Sequence, residues 1–122
     1  MALSTFILDS RASKRLVKQT AVGTTANSDV IGKAATIFGI VIKNTQGGAA
    51  TAFIKLYNAK SATSATTPTM NLQVNAGQTL GVHFPDGLSF ATGLTLRAAQ
   101  QQDESGASTA PATNIEVVIL TD

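Results

Sequence analysis

The chain contains several short runs in which apolar and polar residues alternate. Successive side chains of a β-strand point to opposite faces, so strict alternation predicts a strand with one face buried. The clearest runs lie between residues 70 and 98 and are separated by Ala-Gly-Gln and Pro-Asp-Gly. Their predicted inward residues are Met70, Leu72 and Val74, then Leu80, Val82 and Phe84, then Leu94, Leu96 and Ala98. This part of the chain is therefore predicted to form three strands with turns between them.

Two other segments are more apolar and predict buried strands. Residues 37–43 read IFGIVIK, and the alternation places Phe38, Ile40 and Ile42 on one face. Both faces are apolar, which predicts a central strand, and Gly39 within it indicates a bulge or the close approach of another backbone. The Gly47-Gly48 turn predicts a hairpin with residues 51–58, in which Lys55 points outward. Residues 115–120, IEVVIL, must be buried between neighbours, because an exposed apolar edge invites aggregation.

The fold class follows from the number and spacing of these runs. A weaker strand is predicted over residues 16–22, and the polar segments 59–68 and 100–113 are predicted to be loops. Six to eight short strands with turns between them and no convincing helix predict an all-β fold, an antiparallel β-sandwich or jelly roll. Residues 21–122 are assigned to this single domain.

Residues 1–20 differ from the rest and are predicted to form an N-terminal arm that either pairs along the domain or reaches to a neighbouring protein. The arm has an apolar anchor followed by a basic stem. The anchor is Phe6, Ile7 and Leu8, and the stem is Arg11, Lys14, Arg15 and Lys18. The alternative is a solvated terminus. The anchor is too short for a secretory signal, and no run reaches the ~20 apolar residues that span a membrane, so we expect a soluble protein made in the cytoplasm.

The composition favours a protein that works through its surface. Charged residues make up 13% of the chain and the net charge is +2, which is too weak to indicate nucleic-acid binding. No aromatic residues interleave with the basic stem, so contact with an acidic protein surface is the better interpretation. Aromatic residues are only 5%, which predicts a thin aliphatic core. Low charge is also typical of surfaces that are covered in an assembly, although a merely low-charge soluble domain fits as well.

The candidate chemistry is sparse. The chain has no cysteine, which excludes disulfides and thiolate metal sites. Its one histidine, His83, lies on the polar side of a predicted strand and is interpreted as a surface or structural residue. Asp103 and Glu104 are adjacent in a polar loop and are predicted to be solvated, because a calcium loop needs several alternating oxygen ligands. We therefore predict no catalytic residue, no metal and no cofactor, and a protein that is not an enzyme.

Four segments together resemble a known class of virus proteins. They read IFGIVIKNT, TAFIKLYNA, PTMNLQVNAGQT and VHFPDGLSFATGL, and they span roughly residues 35–98. The progression resembles small virion structural proteins of tailed bacteriophages, of the head decoration or cement type. The Pro-Asp-Gly turn and the stretch FATGL carry the resemblance most clearly.

The resemblance implies a structural function. Proteins of this type sit on the capsid surface, often as symmetric oligomers, and use arms and loops to bridge subunits. We therefore expect a decoration protein that stabilises the phage head. Its expected partners are the major capsid protein and copies of itself, with a trimer favoured, and neither nucleic acid nor membrane. The alternative is a tail or fibre module that binds a receptor or a carbohydrate, since sandwich folds also host lectins.

Overall fold

The computed structural model describes residues 15–104 and 108–122. The strands in these residues are β1 (Arg15–Val22), β2 (Ala35–Asn44), β3 (Ala52–Asn58), β4 (Met70–Val74), β5 (Gln78–Phe90), β6 (Leu94–Ala99) and β7 (Ile115–Thr121). They form a four-stranded sheet in the order β1-β7-β2-β5 and a three-stranded sheet in the order β4-β3-β6. All pairs are antiparallel. The predicted antiparallel β-sandwich is confirmed. No helix of the described residues is long and apolar enough to cross a membrane.

The core lies between the two sheets and is mainly aliphatic. β2 contributes Ile40 and Ile42, β7 contributes Ile119, and β3 contributes Ile54, all of them fully buried. The fully buried Phe90 at the end of β5 packs into the same cluster. Burying one such side chain contributes roughly 1.5 to 3 kcal/mol. The alternation in the sequence therefore indicates which face turns inward in the strands that have no bulge.

β2 is the central strand that the sequence predicts, and it carries the predicted bulge. It pairs with β7 on one side and β5 on the other, and both registers shift between Ile37 and Gly39. Phe38 is the extra residue of this bulge, so the inward face holds Ile37 together with Ile40 and Ile42. The prediction that Phe38 shares a face with Ile40 is therefore wrong, because a bulge reverses the alternation at the point where it occurs.

β7 lies between β1 and β2, which confirms that the apolar run 115–120 is buried by neighbours on both sides. Its register with β1 pairs Arg15 with Thr121 and Leu16 with Leu120. Residues 15–20 are thus part of the sheet. The predicted boundary of the arm at residue 20 falls inside β1, and the rest of the arm, residues 1–14, lies outside the described residues.

The predicted hairpin between residues 37–43 and 51–58 is wrong. β2 and β3 belong to different sheets, and β3 pairs with β4 and β6. The buried Asn44 holds the crossing in place, because its Nδ2 donates to the carbonyl of Ala50 at 2.8 Å and lies 3.4 Å from that of Val74. A glycine pair indicates that the chain turns, but it does not specify which strand the next segment joins.

Pro85-Asp86-Gly87 does not end a strand as the sequence predicts. β5 continues through it, and residues 84–87 together lie opposite the single bulged residue Phe38. Gly87 is necessary here, since its φ is +82° and a Cβ would collide with Thr36 Cγ2 and come within 3.1 Å of the Phe38 ring. The Pro-Asp-Gly motif therefore shapes a wide irregularity in the pairing of β5 with its neighbour β2.

Candidate functional site

The outer face of the four-stranded sheet carries an apolar groove. The register places Leu16, Leu120, Gly39 and His83 in one row across β1, β7, β2 and β5. The next row consists of Lys18, Val118, Val41 and Gly81. A groove of about 340 Å³ lies along these rows. We call it the outer groove, and its surface residues are Leu16, Gly39, Val41, Gly81, His83, Val118 and Leu120.

The outer groove exists because two of its positions carry no side chain. Gly39 and Gly81 leave the backbone open between flanking aliphatic side chains. A Cβ at Gly81 would meet no atom within 4 Å, so local packing does not require glycine there. Leu16 is 70% exposed and Val41 36%, and these are the exposed large hydrophobic residues of the described chain. An open apolar surface of this kind is typical of a binding site for another polypeptide.

Charged residues close one end of the outer groove. Glu116 lies between two cations in the row beyond Val41, with its carboxylate oxygens 3.5 Å from Lys18 Nζ and 3.5 Å from Lys43 Nζ. All three side chains are partly exposed, so each pair contributes at most about 1 kcal/mol to stability. An apolar centre with a charged rim is the usual anatomy of a protein interface.

The other sheet carries a buried charge cluster, which consists of Lys55, Arg97 and Glu104. Lys55 on β3 and Arg97 on β6 face each other directly in the register, and both are about 2% exposed. Like charges in this position repel each other. Glu104 neutralises part of the repulsion, with distances of 2.7 Å to Lys55 Nζ and of 2.6 and 3.0 Å to the two terminal nitrogens of Arg97.

This cluster corrects one sequence prediction. Lys55 lies on the outward face of β3, opposite the core residues Ile54 and Leu56, as predicted, but Glu104 of the predicted solvated acidic pair is only 6% exposed. The reason is the loop after β6, which folds back over the outer face of the three-stranded sheet. Lys55 Nζ donates to the Gln102 carbonyl at 3.0 Å, and Arg97 Nε donates to the Thr24 carbonyl at 2.8 Å. Two loops thus cover a face that would be exposed in an isolated sheet.

The cluster holds Glu104 in its ionised form. Burial alone would raise the pKa of this carboxyl, but hydrogen bonds from Arg97, Lys55 and Ser108 outweigh burial and lower the pKa to about 2. Burial raises the pKa of Tyr57, whose hydroxyl accepts a hydrogen bond from Arg97 at 3.1 Å. Because its oxygens are occupied by these donors, Glu104 acts here as an anchor for the loop.

A polar cleft of about 470 Å³ lies above the cluster, between residues 64–68 and residues 102–104. His83 lies far from it in the fold, exposed on the four-stranded sheet, so the histidine and Glu104 belong to separate surfaces. Within residues 15–104 and 108–122, no three side chains of His, Asp or Glu are grouped as a metal site would need.

The structure places only part of the predicted arm. Phe6, Ile7, Leu8, Arg11 and Lys14 lie outside the described residues. Arg15 and Lys18 lie on β1, where a terminal nitrogen of Arg15 donates to the Ile31 carbonyl at 2.8 Å and Lys18 pairs with Glu116. The last two stem residues are therefore fixed on the sheet, and Lys18 stands at the rim of the outer groove.

No protein-family model matches the chain, and no curated protein is significantly similar to it. The resemblance to phage decoration proteins thus stays a prediction.

Proposed function

We propose that this protein is a virion structural protein that decorates a phage capsid and stabilises it by bridging capsid subunits. The observation that carries the proposal is the outer groove. Leu16 and Val41 expose apolar surface on a sheet whose opposite face is already buried in the core. Such a surface is stabilised when a second protein covers it.

The charged rim suits the same purpose. Lys18, Lys43 and Glu116 remain partly solvated beside the groove, and rim charges of this type orient a partner more than they add affinity. The proposed partners are the major capsid protein and further copies of this chain, in a trimer. The sandwich itself supplies a rigid body, because the loops and the buried charge cluster hold the three-stranded sheet together.

The predicted arm adds a second contact. Phe6, Ile7 and Leu8 serve as an apolar anchor, and Arg11 and Lys14 continue the basic stem that ends on β1 at Arg15 and Lys18. Two tethered contacts raise avidity by about 10²- to 10⁴-fold over one contact, without any new interaction type. Binding through two sites in this way suits a protein that must bridge neighbouring subunits.

The second candidate, a tail or fibre module that binds a receptor or carbohydrate, draws its support from the polar cleft. Hydroxyl and amide groups of Ser64, Thr66, Thr67 and Gln102 line it, and these groups suit sugar hydroxyls. Tyr57, the one tyrosine, is buried beneath the cluster and offers no stacking surface there. The outer groove is the larger apolar surface, so we favour the capsid.

Purified virus particles provide the test of this proposal. Mass spectrometry of gradient-purified virions is expected to find the chain in stoichiometric amounts, and cryo-electron microscopy is expected to place it on the outside of the head as a trimer. Density confined to the tail or fibres would favour the second candidate. Absence of the chain from virions would refute both.

A further inference from the structure

The chain contains a segment that matches the outer groove in position and chemistry. The groove opens beside Leu16, the second residue of β1, and Arg15 is where the first 14 residues join the sheet. Those residues include the apolar triplet Phe6, Ile7 and Leu8. An apolar segment is thus attached directly at the edge of an apolar groove.

We infer that Phe6, Ile7 and Leu8 dock in the outer groove of their own chain while the protein is free. This goes beyond the capsid assignment and does not depend on it. The docked segment covers the exposed surface of Leu16 and Val41, which would otherwise promote association with any apolar surface. A partner that binds the apolar triplet then also uncovers the outer groove, so the triplet and the groove become available for binding together.

The length of the connection allows this docking. Six residues, 9–14, separate Leu8 from Arg15. An extended connection of this length spans about 20 Å. The outer groove extends from β1 across β7 and β2 to β5, which is three strand spacings, or about 14 Å. The triplet can therefore reach every part of the groove by crossing the strands.

The composition of the segment also fits. The connecting residues 9–14 read DSRASK and suit a solvated path around the edge of β1, whereas the triplet is entirely apolar. The glycine positions Gly39 and Gly81 leave room for side chains that enter from outside. A short tether gives a millimolar effective concentration. The segment of the same chain is therefore favoured over that of a second copy in dilute solution.

Two features of the composition make a direct test possible in the full-length chain. There is no cysteine, so Ser4→Cys supplies a single attachment point for a nitroxide spin label, and there is one histidine, so the ring signals of His83 are unambiguous in an NMR spectrum. We expect the label to broaden the signals of His83 and of the methyl groups of Val41 and Val118. Replacing Phe6, Ile7 and Leu8 together with serine in the labelled chain is expected to abolish the broadening.

Two variants on β5 separate docking in the groove from mere proximity. Gly81→Arg places a long charged side chain in the open space of the groove and is expected to abolish the broadening. Thr79→Arg is the matched control, because Thr79 is the next outward position on the same strand, beside Lys43 and outside the groove, and it should leave the broadening intact. Unchanged amide spectra of both variants away from the substitution establish that they are folded.

A mixed sample decides which chain supplies the segment. It contains a spin-labelled chain without isotopes and an isotope-labelled chain without the spin label, so broadening can arise only between molecules. We expect none. Broadening in the mixture would overturn the inference in favour of exchange between copies, and absence of broadening in every sample, or its persistence in Gly81→Arg, would refute docking in the groove.

Discussion

Replacing Glu104 with glutamine is expected to lower the free energy of unfolding by about 3–5 kcal/mol, because it leaves two buried cations without their counter-ion. Lys55 and Arg97 lie directly opposite each other and are both about 2% exposed, so neither can be hydrated without moving the loop that covers them. Glutamine keeps the size of the side chain and a hydrogen-bonding oxygen, so the decrease in the free energy of unfolding measures the effect of removing the charge. Urea-induced unfolding measures it.

Glu116→Gln is the matched control for this experiment. Glu116 also lies between two cations, Lys18 and Lys43, but all three side chains are partly exposed on the four-stranded sheet. Removing its charge is expected to cost less than about 1 kcal/mol. Equal effects of the two substitutions would show that the buried cluster is no more important than a surface ion pair, and would contradict the account of how the loop is held.

The stability of the wild-type protein is expected to fall as the pH decreases from about 5 to about 2. The pKa of Glu104 is about 2 in the folded chain, below its ordinary value of 4.5. A lowered pKa means that the ionised group stabilises the folded state above pH 4.5 and that this stabilisation is lost as the pH approaches the folded pKa. The difference corresponds to about 3 kcal/mol.

The comparison with Glu104→Gln isolates this contribution. Asp122 adds a loss of the same sign, because the backbone N–H of Thr36 donates to its carboxylate and lowers its pKa. That contribution is present in both proteins and cancels in the difference. The gap in unfolding free energy between wild type and Glu104→Gln should therefore shrink steadily below pH 5. A gap that stays constant down to pH 2 would show that Glu104 is not held ionised by the cluster.

Local patterns predicted the strands well because burial of one face leaves a period of two in the sequence. Leu80, Val82 and Phe84 alternate with exposed residues along β5 as expected, and the apolar run at 115–120 is indeed an interior strand. The bulge near Gly39 was also predictable, since a glycine within a strand often marks one. The effect of this bulge on Phe38 could not be predicted, because the register of β2 with both of its neighbouring strands decides which residue is the extra one.

Partner choice between strands could not be predicted in the same way. A strand at residues 37–43 can pair equally well with β3 in a hairpin or with β7 and β5. The local sequence does not distinguish between these two pairings. The charge cluster depends on this choice, because it joins Lys55 to Glu104 across 49 positions of sequence. The outer groove likewise combines side chains from β1, β2, β5 and β7, which only the complete order of the sheet brings together.

The most direct test of the outer groove as the contact surface is the binding of Gly81→Arg to capsids. Shells of the virus, stripped of this protein, are sedimented with wild type, Gly81→Arg or the control Thr79→Arg, and the bound protein is quantified. Wild type and Thr79→Arg are expected to saturate the shells, whereas Gly81→Arg is expected to remain in the supernatant. Saturation by folded Gly81→Arg at the same concentration as wild type would contradict the claim that the outer groove is the contact surface.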